Sequence, residues 1–237
     1  MTLDERYDRT RKFVYRQRRR LPAVFVAAGS VALLFSTPFM ICDGPVFGAL
    51  CLACSCAGFW VRWRALAQTA YRRRRMKADP AAFAEPFPVE GIHSRIRYPL
   101  HAGGFLVWLG PILFTGVGWF MVSASLAYAL CVWLAMSGEE ALRLEKYGEP
   151  YRAWCDATPA VIPDFGKPGR PAPGRLRAAA LRRDATVFWS AAAAFVWLGA
   201  LKFRMVDLSW HIPAVWTIAG GGVILALIFS VLLRPSR

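Results

Sequence analysis

Long stretches of this 237-residue chain contain no Asp, Glu, Lys or Arg. The five longest that bear on the fold are residues 21–42, 44–61, 98–137, 185–201 and 212–233. A helix needs roughly 20 apolar residues to cross about 30 Å of hydrocarbon, and the third stretch is long enough for two helices. The chain is 56% hydrophobic with a mean hydropathy of +0.34. These features exclude an ordinary soluble domain and predict an all-α, polytopic membrane protein with about six transmembrane helices and a turn near 115–118.

Acidic residues are also scarce, since 15 Asp and Glu face 30 Lys and Arg. With six spans, the basic N-terminal tail, the 62–97 and 138–184 segments and the C-terminus share one side of the membrane. The excess of Lys and Arg there predicts that this side, with both termini, is cytoplasmic. The first apolar stretch is longer than the core of a signal peptide and another span follows closely, so we expect it to be retained. The basic run at 71–77 indicates attraction to an anionic lipid bilayer, not to nucleic acid.

Histidine, a common partner of cysteine in metal sites, is missing around the cysteine-rich segment. Cys51, Cys54 and Cys56 are closely spaced, but they fall inside the second apolar stretch. Small polarizable residues at a helix contact are therefore favoured over a metal site, and no metal is expected. Cysteine is almost absent from the segments on the outer side, which does not support a disulfide framework.

The order of charged and apolar segments predicts five regions and no internal repeat. A run of prolines and glycines at 163–175 argues against regular structure there. The regions are a basic tail with a transmembrane hairpin (1–66), a cytoplasmic connector (67–97), a hairpin followed by a polar helix (98–165), a loop (166–184) and a C-terminal hairpin (185–237).

The first group of polar residues at a predicted membrane boundary is "SRIRYPLHAGG", residues 94–104. Pro99 suits the first turn of a helix, where its missing N–H costs nothing. The free N–H groups of such a turn and the helix dipole favour an anion, and Arg95 and Arg97 add positive charge beside them. His101 falls within the same turn. The alternative is that the arginines contact lipid phosphates and His101 packs at the interface.

The second group lies at residues 137–163. Ser137 followed by Glu140 is a capping-box pattern and predicts a helix that begins as the chain leaves the membrane. Gly148 is expected to end that helix and Pro150 to begin another. The cap does not explain Glu139, because an ionised group at the membrane boundary needs a partner. Four residues spaced three and four apart predict an apolar stripe against the bilayer: Leu144, Tyr147, Tyr151 and Trp154.

Together the two groups resemble the isoprenylcysteine carboxyl methyltransferase and phospholipid methyltransferase superfamily. The resemblance covers about residues 88–165, around an apolar hairpin. It departs from the family pattern in two places: Tyr98 and His101 stand where the family has histidine and tyrosine, and Ala135 replaces an arginine of the prenylcysteine branch. The residues that carry it are Gly91, Arg97, Tyr98, Pro99, Leu100, His101, Glu139, Glu140, the Tyr147-Gly148-Glu149-Pro150-Tyr151 step and Pro163.

The resemblance implies a helical membrane enzyme that binds S-adenosylmethionine at the cytoplasmic face, while a lipid acceptor arrives sideways from the bilayer. By the same resemblance, Arg97, His101 and Glu139 are the expected catalytic residues. The expected cofactor-binding residues are Gly91, Arg97, Tyr98, Pro99, His101, Glu139 and Glu140.

The acceptor follows from composition and chemistry. Abundant arginine and alanine suit a bacterial chain, so we expect the inner membrane and a membrane lipid. A phosphate such as that of lipid A is already anionic and needs cations rather than a base. An amine headgroup such as phosphatidylethanolamine must first lose a proton, and would prefer a carboxylate such as Glu139 nearby. We favour the phosphate; the residues define no oligomeric state.

Two rivals come from other classes. One is an NADPH-dependent enzyme of the sterol-reductase type, whose C-terminal helices carry a similar Arg-His-x-x-Tyr block. That type usually has more spans and lacks the Glu-Glu step. The other is a non-enzymatic membrane scaffold, for which snorkelling arginines and a helix cap would suffice.

Overall fold

A computed structural model describes residues 3–39, 42, 44–78, 87, 89–164, 166, 178–207 and 214–232. Over these ranges the chain contains α-helices and one short 3-10 helix and no β-strand, so the all-α prediction is confirmed. The helices are α1 Leu3–Gln17, α2 Leu21–Phe35, α3 Pro45–Ala78, α4 Pro99–Phe114, α5 Gly118–Tyr147, α6 Glu149–Ala157, α7 Ala178–Asp207 and α8 Ala214–Leu232, with the 3-10 helix at Gly91–Ser94.

Among the described residues, three helices contain segments long and apolar enough to cross a membrane: Pro45–Thr69, Gly118–Tyr147 and Arg182–Arg204. Three shorter apolar helices accompany them in the described part of the chain: Leu21–Phe35, Pro99–Phe114 and Ile218–Ser230. Each predicted apolar stretch therefore contains helix, although α2 ends well before residue 42. Length and composition together give the chain the features of a membrane protein.

The expectation that a helix begins at Ser137 is wrong. Helix α5 runs without interruption through this position, and Ser137 Oγ donates to the carbonyl of Trp133 at 3.0 Å instead of capping. Helix α3 extends beyond residue 67 to Ala78, into the predicted connector. Helix α7 includes 178–184 and also Lys202, which were expected in loops. The predicted loop at 167–177, the turn at Asp43 and the last five residues lie outside the described part of the chain.

Other helix boundaries follow the local rules. Pro99 is the first residue of α4, Gly148 separates α5 from α6, and Pro150 lies in the first turn of α6. Gly148 has a φ of 62°, a left-handed value that glycine adopts without strain. The turn between α4 and α5 falls where it was predicted, with Gly116 at φ 70°.

The chain divides into two compact units. The first comprises Met1–Arg18, Trp60–Gly104 and Cys131–Leu181, and the second comprises Arg19–Phe59, Phe105–Leu130 and Arg182–Arg237. All the predicted site residues belong to the first unit.

Within the second unit, a proline explains the cysteine-rich segment. Pro111 lies inside α4 and lacks the N–H that would bond the carbonyl of Val107, four residues earlier. Ser55 Oγ donates to that carbonyl at 2.8 Å, and Cys54 Sγ contacts the carbonyl of Leu106 at 3.6 Å. Gly110 makes the approach possible, because a Cβ there would lie 2.1 Å from Ser55 Oγ. The expectation that the cysteines line a helix contact is confirmed for Cys51 and Cys54, whereas Cys56 is exposed.

Lys202 closes the same unit near the α4–α5 turn. Its Nζ donates to the carbonyl of Cys42 at 2.6 Å and lies 5.7 Å from the centroid of the Phe114 ring. A Cβ at Gly116 would lie 3.1 Å from the same Nζ. The ammonium group therefore provides a hydrogen-bond donor to a carbonyl that lies outside the described α-helices.

Candidate functional site

Backbone hydrogen bonds bring the two sequence groups together within the first unit. The Arg97 N–H donates to Pro159 O at 2.9 Å, and the Tyr98 N–H donates to Ala160 O at 3.2 Å. The Asp164 N–H returns a bond to Arg95 O at 3.1 Å. The strand-like stretch before α4 and the segment after α6 therefore lie side by side, which fixes where α4 begins.

Gly91 and Pro99 shape this approach through the backbone. Gly91 opens the 3-10 helix with φ 61°, and the next N–H, that of Ile92, donates to Gln68 Oε1 at 2.9 Å. The first turn of α4 offers fewer free donors than expected. Both the His101 N–H and the Ala102 N–H donate to Tyr98 O, at 3.1 and 3.0 Å. Side chains, rather than backbone amides, must therefore supply most of the chemistry here.

Glu140 holds the first cluster of side chains. Arg97 Nη1 donates to Glu140 Oε1 at 3.2 Å, and the Tyr98 hydroxyl donates to Glu140 Oε2 at 3.2 Å. The Tyr98 hydroxyl also lies 3.0 Å from the Tyr151 hydroxyl. The role of a helix cap is thus excluded for Glu140, which binds partners some forty residues away in sequence.

Glu139 holds the second cluster. Its Oε1 accepts a short hydrogen bond from Arg143 Nη2, and its Oε2 lies 3.4 Å from His101 Nε2. The Glu139 side chain is only 14% exposed, compared with 39% for Glu140. Consecutive helical residues point about 100° apart, so each carboxylate meets a different set of partners. The buried carboxylate that the sequence left unexplained therefore has its partners.

Two buried nitrogen atoms in these clusters have no hydrogen bond to any described residue. They are Arg97 Nε and His101 Nε2. Arg97 reaches Cys155 with another of its nitrogen atoms, and His101 meets the Tyr98 ring edge-on at 5.9 Å. Leaving a buried polar atom unsatisfied costs about 1–3 kcal/mol. Such atoms are positions where a ligand could bind.

The apolar stripe exists, but it does not face the bilayer as expected. Tyr151 at its centre is completely buried and forms a core with Phe87 and Val89, and the other three stripe residues pack around it. The ring centroids of Phe87 and Tyr151 lie 5.2 Å apart, with their planes nearly perpendicular. Burial raises the pKa of Tyr151, so its phenol stays protonated and can share a proton with Tyr98.

The structure adds residues that the sequence analysis missed. Arg143 lies one helical turn after Glu139, a spacing that favours an ion pair and could have been recognised. Tyr151 was assigned to the apolar stripe, so its hydroxyl was overlooked. Arg62, on α3, donates from Nη1 to Leu100 O at 3.1 Å, and Gly104 leaves room for it. No sequence spacing links Arg62 to the site.

The charges that act on the His101 imidazole come from two helices and the residue just after α1. They are Glu139 and Arg143 on α5, Arg62 on α3, and Arg18 beyond the end of α1. Together with Arg97 and Glu140, the site holds four guanidinium groups and two carboxylates. Its surroundings are therefore basic on balance.

Comparison of the chain with protein-family models, curated proteins and solved structures gives no match. Of the predicted site residues, Arg97, Tyr98, His101, Glu139 and Glu140 converge, whereas Gly91 and Pro99 act through the backbone.

Proposed function

We propose that this chain is an integral membrane methyltransferase that uses S-adenosylmethionine and modifies a membrane lipid. One observation carries the proposal: the two sequence groups meet in a double cluster, Arg97–Glu140–Tyr98 and His101–Glu139–Arg143. A helix cap and arginines that contact lipid headgroups would not need such convergence.

The residues fit the cofactor by chemistry. S-adenosylmethionine has a carboxylate, an ammonium, ribose hydroxyls and an adenine ring. Arginine side chains suit the carboxylate, and glutamates suit the ammonium and the hydroxyls. The free hydrogen-bonding capacity at Arg97 Nε and His101 Nε2 gives such a ligand two further contacts. When bound, the cofactor supplies an activated methyl group on its sulfonium.

The protein contributes mainly alignment, because methyl transfer is an in-line displacement. Arg97 pairs with Glu140 and His101 lies beside Glu139, so the two side chains lie on either side of the glutamate pair. The excess of guanidinium over carboxylate groups supports an anionic acceptor. We therefore propose O-methylation of a lipid phosphate, such as a phosphate of lipid A.

A specific contact supports a second acceptor. His101 Nε2 lies 3.4 Å from Glu139 Oε2, so a carboxylate stands beside the imidazole and would stabilise its protonated form. An amine headgroup of the phosphatidylethanolamine type must lose a proton before it attacks. N-methylation of that headgroup is therefore the alternative, with His101 as the proton acceptor.

In the proposed topology, the six apolar helices cross a bacterial inner membrane, both termini are cytoplasmic and the site opens at the cytoplasmic face. The support is the distribution of basic residues together with three long and three shorter apolar helices. Anionic lipids would surround the basic segments, and the acceptor would enter from the bilayer.

The first experiment identifies the cofactor. The purified full-length protein in detergent is heated with S-adenosylmethionine or with NADPH. A ligand that binds the folded state raises the melting temperature. We expect S-adenosylmethionine alone to do so; stabilisation by NADPH instead would indicate a reductase, and no effect of either would indicate a scaffold.

The second experiment tests the site. Arg97→Ala and Glu139→Gln should each weaken S-adenosylmethionine binding or abolish methyl transfer to extracted lipids, read by mass spectrometry. Arg152→Ala is the matched control, because Arg152 pairs with Glu149 on an exposed surface of α6. Unchanged binding and transfer in both site variants would refute the proposed site.

A further inference from the structure

Helix α1 crosses α5 at the residue that precedes the glutamate pair. The crossing point is Gly138, which is buried. A Cβ there would lie 2.5 Å from the carbonyl oxygen of Arg11 and 3.1 Å from the Cβ of Tyr15. Since Cβ atoms do not approach a backbone oxygen so closely, only glycine admits α1 at this distance. Gly138 is therefore the point at which α1 packs against α5, and we call this contact the seat of α1.

Aromatic side chains extend the same contact along both helices. Tyr7, Arg11 and Tyr15 are spaced four apart and share one face of α1. The ring of Tyr7 lies 6.4 Å from that of Trp133, and the Arg11 guanidinium lies 5.3 Å from the Tyr7 ring. A 15-residue helix is marginal on its own in water, so this contact must supply much of its stability.

The end of α1 connects the seat to the site. Arg18 follows the last residue of α1; its Nη1 donates to Tyr15 O at 2.5 Å, and its guanidinium lies 3.9 Å above the Tyr15 ring. Tyr15 thus contacts Gly138 on one side and holds Arg18 on the other. Gly138, against which Tyr15 packs, directly precedes Glu139, the partner of His101, so the end of α1 lies beside the His101–Glu139 pair.

We propose that α1 is a wall of the candidate site, with Gly138 as its seat and Arg18 as a positioning residue for the His101–Glu139 pair. Only the identity of the ligand rests on the proposed function. The outer face of α1, with the exposed Arg9 and Arg16, takes no part in this contact. Substitutions on the contact face of α1 therefore test the proposal, and substitutions on its outer face serve as controls.

The seat is tested by hydrogen exchange in the intact, detergent-purified protein. Gly138→Val should displace α1 and speed amide exchange of residues 3–17 by about tenfold or more, because local opening becomes easier. Ala127→Val adds a β-branched side chain at an exposed position of α5 and should leave α1 unchanged. Equal exchange in the wild type and Gly138→Val would overturn the proposed seat.

The link to the site is tested without any cofactor. Diethyl pyrocarbonate modifies imidazoles, and peptide mass spectrometry separates His101 from His93. Arg18→Gln and Gly138→Val should both change the labelling rate of His101 several-fold, whereas Arg16→Gln should not. His93, buried in the 3-10 helix, is the internal reference. An unchanged rate at His101 in both variants would overturn the role of α1 as a wall.

A third measurement separates positioning from folding. Arg18→Gln should weaken S-adenosylmethionine binding about tenfold, and Arg18→Lys, which keeps the charge, should restore most of it. Arg16→Gln should bind as the wild type does. Equal affinities in Arg18→Gln and Arg16→Gln would refute the positioning role. If the wild type itself fails to bind, the proposed function fails, and the exchange and labelling results still decide whether α1 is a wall.

Discussion

The rings of Tyr98 and His101 meet edge to face, with their centroids 5.9 Å apart and their planes at 88°. The phenol reaches Glu140 and the imidazole approaches Glu139. In the superfamily that the motifs resemble, the two ring types occupy the opposite positions. Because the two rings are in contact, one imidazole and one phenol lie side by side here whichever of the two positions carries which ring.

This contact predicts coupling between the two positions. Tyr98→His and His101→Tyr alone should each reduce methyl transfer about tenfold or more, since each removes a partner of a charged group worth about 1.5–3 kcal/mol. The double exchange should lose less than the product of the two losses. Transfer rates of the four proteins in lipid vesicles measure this, and fully multiplicative losses would argue against shared space.

The proline in α4 gives a prediction about stability. Ser55→Ala should destabilise the fold by about 1–3 kcal/mol, because the carbonyl of Val107 loses its donor. Adding Pro111→Ala should recover part of this, since the new N–H at 111 can bond the same carbonyl. Chemical unfolding in detergent measures both variants.

Ser190→Ala is the control for that experiment. Ser190 Oγ donates to Thr186 O, within its own helix, at 2.6 Å. Its loss leaves a carbonyl that the helix already satisfies, so the effect should be small. An equal cost for Ser55→Ala and Ser190→Ala would mean that the proline does not create the need for Ser55.

Tyr151 predicts a loss of stability at alkaline pH. Burial raises its pKa above the ordinary value of 10.0, so the folded protein holds the phenolic proton more tightly than the unfolded chain does. The resulting contribution to stability is complete below pH 10 and declines as the pH rises above it. The melting temperature of the wild type should therefore fall more steeply above pH 10 than that of Tyr151→Phe. Parallel curves would contradict this assignment.

Topology is tested with reporters fused at the two ends of the chain. Both should report the cytoplasm, and a reporter inserted near Asp43 should report the opposite side, because the basic residues concentrate on one side. A C-terminus on the opposite side would mean an odd number of spans.

The helix boundaries could be predicted from the sequence, because they depend on residues close together in the chain. Pro99, Gly148 and Pro150 mark helix boundaries because a missing N–H or a left-handed φ acts within one turn. The spacing of Ser137 and Glu140 misled, because a cap pattern inside an apolar run cannot interrupt a helix that is otherwise favourable. The resemblance predicts that Arg97, Tyr98 and Glu140 share a site, but no local rule predicts that Glu140 binds the other two, because this depends on a backbone contact after α6.

Because α5 is uninterrupted, its length fixes the distance between its first residue and the glutamate pair. At 1.5 Å per residue, Glu139 lies about 32 Å along the axis from Gly118, close to the thickness of the hydrocarbon layer. In the topology proposed above, the length of this one helix therefore sets the height of the carboxylates relative to the lipid headgroups. The proposed site would then select an acceptor by how deep its reactive atom lies in the membrane, independently of the acceptor's charge. The same helix would make the proposed enzyme sensitive to bilayer thickness, since a thicker membrane would draw the glutamate pair below the headgroups.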